Sequence, residues 1–177
     1  DAAAAAAEIV LAVERCCSGA PSLVGTVGQL NVPNGAMNII PGRCDLTLDI
    51  RAGTDELRDE GVAKVMAEIK RIAAARKVNV SIEEALRMAA IPMSKFLQER
   101  LANSSERLGV KPIMLPSGAG HDAAMMSSLT ESAMIFLRCG NGGVSHSPLE
   151  IITEEDADFA ARVLFDFLMN LAEEYDA

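Results

Sequence analysis

Arg43-Cys44-Asp45-Leu46-Thr47-Leu48-Asp49-Ile50-Arg51 is the stretch on which the architecture of this chain turns. Cys44, Leu46, Leu48 and Ile50 fall on one side of its alternation and Asp45, Thr47, Asp49 and Arg51 on the other, as expected of a half-buried strand. Upstream, residues 23–30 alternate more weakly, Leu23, Gly25, Val27 and Gln29 against Val24, Thr26, Gly28 and Leu30, but their β-branched content favours a second strand. Residues 31–42 form a turn-rich link between the two. Downstream, Thr54 opens a helix with Asp55-Glu56 in its first turn and Lys70-Arg71 towards its last, as the helix dipole prefers. Its apolar stripe is Val62, Val65, Met66, Ile69, Ile72 and Ala73. The Ala-rich residues 2–15 make another helix, capped by Asp1, striped by Ile9, Val10 and Val13, and ended at Ser18-Gly19-Ala20-Pro21. Residues 78–82 alternate as a further strand.

The pattern resets at Ala89-Ala90-Ile91-Pro92-Met93, where a domain hinge is placed. Beyond it the spacing predicts a helix over 94–108, a short buried strand over 112–115, a helix over 122–129 and a strand over 133–138. A final helix has Thr153 as N-cap, Glu154-Glu155-Asp156 in its first turn, and Phe159, Val163, Leu164, Phe167, Leu168 and Leu171 as its buried stripe. An antiparallel first half and an alternating strand-and-helix second half are two packing schemes, hence two domains, 1–90 and 91–177.

With 16 basic against 25 acidic residues and a net charge of -9, the 177-residue chain offers no clustered Lys and Arg for nucleic acid or an anionic membrane surface. No apolar run reaches the length of a membrane span. Cys16, Cys17, Cys44 and Cys139 form no C-x-x-C pair and read as thiols of a reducing compartment, so a cytoplasmic location is expected. The sequence opens without Met inside a helical pattern, so a piece of a longer protein is expected.

The two histidines occupy small-residue loops, Ser117-Gly118-Ala119-Gly120-His121-Asp122 and Gly142-Gly143-Val144-Ser145-His146-Ser147-Pro148-Leu149-Glu150. His146 suits a metal ligand or general base, with Glu150 available to orient its other ring nitrogen; a surface histidine is the bland alternative. His121 begins a helix, where free N–H groups favour an anion, and Gly118 and Gly120 let a ligand approach the main chain. Ser117, His121 and Asp122 are no serine-hydrolase triad, since they lie within six residues and the Gly-x-Ser-x-Gly elbow is missing. Arg51 either forks a carboxylate or is a solvated strand-end arginine, and Asn38 is most simply a turn residue.

Residues 116–123 followed by 143–150 resemble the paired signature of the N-carbamoyl-L-amino-acid hydrolase, β-ureidopropionase and allantoate amidohydrolase family, within the metal-dependent aminoacylase and exopeptidase superfamily. Gly28-Gln29-Leu30, Pro33-Asn34, Asn38-Ile39-Ile40-Pro41-Gly42 and Leu48-Asp49-Ile50-Arg51 resemble that family's lid segment. The resemblance implies a fold that is α/β and α+β. An antiparallel-sheet lid domain with two helices, lacking its first strand and serving dimerisation, would span 1–90. The C-terminal part of an α/β metal-dependent exopeptidase-like catalytic domain would span 91–177. It further implies that His146 ligates one of two divalent ions, zinc or manganese, that Gly120 and His121 contact substrate, that Arg51 holds the substrate carboxylate and that Asn38 hydrogen-bonds nearby. The implied reaction is hydrolysis of a carbamoyl or ureido C–N bond in a small molecule, releasing ammonia and carbon dioxide, by a homodimer paired through the lid. The family's remaining ligands and its glutamate base would precede Asp1. No catalytic residue is therefore assigned here, and the isolated chain is expected to be inactive. Ser147 stands where the family commonly has asparagine. An aminoacylase or dipeptidase of the same superfamily, and a dimerisation module without chemistry, are the alternatives.

Overall fold

Asp1 accepts a hydrogen bond from the Ala4 N–H (3.1 Å) and so starts helix α1, Ala2–Cys17. In the computed structural model, which describes residues 1–175 (172–175 as helical backbone only), the order continues with strands β1 (Val24–Asn31) and β2 (Asp45–Arg51) and helix α2 (Asp55–Arg76). Then come α3 (Lys95–Arg107), α4 (Asp122–Met126), a 3-10 turn at Asn141–Gly143 and α5 (Glu154–Tyr175). The chain groups into two units: Asp1–Ala90 with Pro116–Gly118, and Ile91–Leu115 with the residues from Ala119 on. Among the described residues no helix is long and apolar enough to cross a membrane.

In the first unit β1 and β2 pair antiparallel, Val24 opposite Arg51 and Val27 opposite Leu48. Two β1 residues, Gly28 and Gln29, then face the single Thr47, and Leu30 meets Leu46. The Thr47 hydroxyl accepts the Gln29 N–H at 3.0 Å, so this bulge leaves that donor satisfied. The bulge explains the weak alternation read over 23–30: the phase set by Leu23, Gly25 and Val27 slips by one residue and resumes at Leu30. β2 alternates along its whole length, with Leu46, Leu48 and Ile50 turned inward. Ala5, Ile9, Ala12, Val13 and Cys17 of α1 and Val65, Ile69 and Ile72 of α2 make one buried cluster with Leu23. Thr54 caps α2 through the Leu57 N–H, and Arg76 at its far end pairs with Glu8 of α1.

Residues 78–82, read as a strand, form no ladder; β1 and β2 are the only paired strands among the described residues. Alternation states which face a residue takes, whereas a strand also needs a neighbour for its N–H and C=O groups. Residues 83–90 also lack regular structure, yet they are tied down: the Asp55 carboxylate accepts the Ala90 N–H (2.7 Å), and Arg87 pairs with Asp59 and Glu84.

In the second unit α3 packs against α5. Ser94 caps α3, and its N–H donates to the Ser132 carbonyl (2.9 Å). The strands read over 112–115 and 133–138 do not form, for the same want of a ladder partner. Ala133 and Ile135 of the second segment line an apolar cavity of about 270 Å3 together with Leu97, Leu101, Leu164 and Phe167. The stripe expected on α5 is accordingly narrower, with Val163 and Phe167 buried and Leu164 and Leu168 exposed. The helix read over 122–129 stops at Met126, whose carbonyl takes the turn N–H groups of Leu129 and Thr130. Thr153 starts α5 by accepting the Asp156 N–H, while its hydroxyl donates to the Asp156 carboxylate.

Asp166 of α5 holds the two helices together. Hydrogen bonds from Arg107 and from buried Ser104 keep its carboxyl below the usual carboxylate range. A depressed folded-state pKa contributes stability above the unfolded value, and the contribution fades as pH falls through the folded one. Asp166→Asn should therefore unfold at lower denaturant than the parent chain at neutral pH, and the gap should close in acid; a gap constant with pH would refute this.

Candidate functional site

Arg51 ends β2 on its outward face, two residues after Asp49, so both side chains leave the strand on the same side. The Arg51 Nε donates to Asp49 Oδ1 (2.8 Å) and its Nη2 to Asp49 Oδ2 (2.6 Å), a two-pronged ion pair. Nη1 donates to the Gly118 carbonyl (2.8 Å), in the Pro116–Gly118 segment that groups with the first unit. These contacts raise the Arg51 pKa and lower that of Asp49, the hydrogen bonds between them being the main cause. Both side chains stay about half exposed, 54% and 50%, so the pair adds little to folding stability.

Asn38 lies exposed in the turn that the Ile39 N–H closes on the Ala36 carbonyl. Gly120 is exposed, and a Cβ at Gly118 or Gly120 would meet nothing within 4 Å, so no packing within the chain requires glycine there. His121 stands in extended backbone (φ -143°) as N-cap of α4, and its Nδ1 accepts the Ala123 N–H at 3.0 Å. With Nδ1 accepting, Nε2 is the ring nitrogen left to donate. The imidazole thus fills the N-terminal position that the sequence suggested for an anion, and α4 has only five residues.

His146 follows the 3-10 turn with φ +56°, in the left-handed region uncommon outside glycine. Glu150 holds it there, accepting the His146 backbone N–H on Oε2 at 3.0 Å. Glu150 was expected beside the imidazole; it grips the main chain instead. The exposed ring makes no hydrogen bond or ion pair among the described residues, which leaves both nitrogens for a ligand. No three His, Cys, Asp or Glu side chains among the described residues are grouped to hold a metal ion. His146 therefore fits as one donor to a metal and no more.

No hydrogen bond or ion pair joins any two of Asn38, Arg51, Gly120, His121 and His146 among the described residues. Asp49, the Gly118 carbonyl and the His146 N–H held by Glu150 are the partners that the residue pattern left unassigned. The first was signalled, since Asp49 and Arg51 share the polar side of the strand. The other two contacts join main-chain atoms, which a residue pattern does not report.

A two-stranded sheet backed by two helices is followed by a helical unit with two histidine loops, and comparison with known proteins places the chain. The profile of peptidase family M20/M25/M40 matches residues 7–170, and the chain belongs to that family. It is 36% identical to the N-carbamoyl-L-amino acid amidohydrolase of Geobacillus stearothermophilus over 173 residues, 98% of this chain and 42% of that protein. It is 32% identical to allantoate deiminase 2 of Glycine max over 200 residues, 97% of this chain and 41% of that protein. The crystal structure of a hydantoinase/carbamoylase family amidase from Burkholderia ambifaria superposes with a TM-score of 0.89 at 30% identity, over 96% of this chain and 40% of that one. The chain thus spans about two fifths of the length of these relatives.

Proposed function

We propose that this chain is part of a metal-dependent amidohydrolase that cleaves the carbamoyl or ureido C–N bond of an N-carbamoyl-L-amino acid or of allantoate, with release of ammonia and carbon dioxide. The observation that carries this reading is the likeness, along nearly the whole chain, to relatives named for those reactions. Arg51 offers its remaining N–H groups to the substrate carboxylate, and Asn38 donates from its turn. Gly120 leaves room for substrate beside the main chain. His121 presents Nε2–H to a carbonyl oxygen as it gains negative charge. His146 contributes one imidazole ligand to a pair of divalent ions, zinc or manganese. Such ions, when bound, supply a Lewis acid and make a coordinated water acidic enough to attack near neutral pH. The other ligands and the general base come from outside residues 1–177, so the isolated chain should not turn over. Residues 1–90 act as the lid through which a cytoplasmic homodimer pairs, and residues 91–177 belong to the catalytic domain.

Ammonia release by the full-length protein from an N-carbamoyl-L-amino acid and from allantoate, before and after chelation and metal re-addition, is the test. Metal-restored release from either is expected, with none from the 177-residue chain. Cleavage of N-acyl amino acids or dipeptides without any ammonia from ureido compounds would overturn the reading in favour of an aminoacylase or dipeptidase.

A further inference from the structure

A guanidinium has five N–H donors and can meet a carboxylate two-pronged along the Nε–Nη2 edge or between its terminal nitrogens. In Arg51 three donors are committed: Nε and one hydrogen of Nη2 to Asp49, and one hydrogen of Nη1 to the Gly118 carbonyl. One hydrogen on each terminal nitrogen remains. We propose that Asp49 is the positioning residue for Arg51, holding the Nε–Nη2 edge so that the substrate carboxylate is received only by Nη1 and Nη2. The proposal rests on Arg51 being the carboxylate contact and adds how that contact is shaped.

Asp49 sits in the ladder opposite Thr26, so its main chain is fixed, and the Gly118 carbonyl restrains the guanidinium from another direction. A free arginine on an exposed strand end samples many rotamers, and binding a ligand would freeze them at a cost; a side chain already held on two sides has lost that freedom beforehand. Charge points the same way. Arg51 and Asp49 together are neutral, so attraction for anions in general is cancelled, while the paired hydrogen bonds reward a planar carboxylate. The Asp49 carboxyl lies below the usual carboxylate range because of its bonds from Arg51, so the pair stays ionised through neutral pH.

Steady-state kinetics of Asp49→Asn, Asp49→Glu and Arg51→Lys in the full-length protein, with folding checked by Tm, separate the possibilities. Asp49→Asn is expected to raise KM for the carboxylate substrate about tenfold with kcat little changed, and to make turnover more sensitive to inorganic phosphate, since Arg51 would then carry an uncancelled charge. An analogue with a carboxamide in place of the carboxylate should be handled alike by parent and variant. Asp49→Glu, which keeps the charge, should recover part of the KM. An unchanged or lower KM in Asp49→Asn would overturn the proposal, because Asp49 would then be idle or would compete with substrate. Equal losses on the carboxamide analogue would overturn it too, as would an Asp49→Glu no better than Asp49→Asn at parent-like Tm. Arg51→Lys distinguishes the two levels. If it leaves KM unchanged, the reading of Arg51 itself fails; if it raises KM while Asp49→Asn does not, only the positioning role fails.

Discussion

Gly25→Ala is expected to lower the stability of the first unit by about 2–3 kcal/mol, read as a fall in Tm of roughly 10 °C or more. Gly25 lies on β1 opposite Ile50, directly beneath α1. A Cβ there would fall 2.3 Å from Cys17 Sγ, 2.9 Å from Cys17 Cβ and 3.2 Å from Val13 Cγ1. Cys17 and Val13 are both buried, so neither can swing into solvent to make room. The ladder to β2 fixes the strand laterally, so the strain has to separate helix from sheet. Thermal unfolding followed by circular dichroism measures it, with two comparisons that isolate the cause. Gly28→Ala, where the added Cβ would sit 3.6 Å from Thr47 Oγ1, should cost little. Cys17→Ala in the Gly25→Ala background should restore part of the loss by removing the nearest atom, a non-additivity expected of touching residues. If Gly25→Ala melts with the parent, α1 does not approach the sheet this closely.

On the proposed carboxylate role of Arg51, Arg51→Ala in the full-length protein is expected to leave the fold intact while raising KM for the carboxylate substrate roughly a hundredfold, because two charge-assisted hydrogen bonds would be lost together. Stability should change by less than about 0.5 kcal/mol, since the side chain is half exposed and its ion pair is screened. The split between an unmoved Tm and a raised KM is the signature to look for. A hundredfold fall in kcat at unchanged KM would place Arg51 in the chemical step rather than in carboxylate binding.

Much of this could be read from side-chain pattern. The alternation of 43–51 set the face of every β2 residue, and Asp1, Thr54 and Thr153 cap the helices that their residue types announced. The strands read over 78–82, 112–115 and 133–138 failed for one reason. Val80, Ile82, Ile113, Leu115 and Phe136 are apolar enough for a sheet, but period and composition describe one segment, and a ladder belongs to two. The close approaches at Gly25 and Gly61 were equally hidden, since a glycine in a strand or helix pattern does not disclose whether a neighbour occupies its missing side chain; at Gly61 the occupant is Leu23. At the candidate site, residue types left Arg51 and the two histidines open between a chemical and an ordinary surface role, and the family resemblance chose between them. Residue types were silent on the Gly118 carbonyl and the His146 N–H, because main-chain groups are common to every residue.

The bulge in β1 also bears on how such chains can change length. Val27 meets Leu48 and Leu30 meets Leu46, with Gly28 and Gln29 sharing Thr47 between them. Were Gly28 deleted, Gln29 would face Thr47 alone, and every pairing on either side would keep its partner. Strands ordinarily resist insertions and deletions because one residue gained or lost turns the remainder inside out. Here the surplus residue makes the middle of a strand a site where lineages can lose a codon and keep the same inward face, so a gap at this point in a comparison of sequences would signify conserved structure.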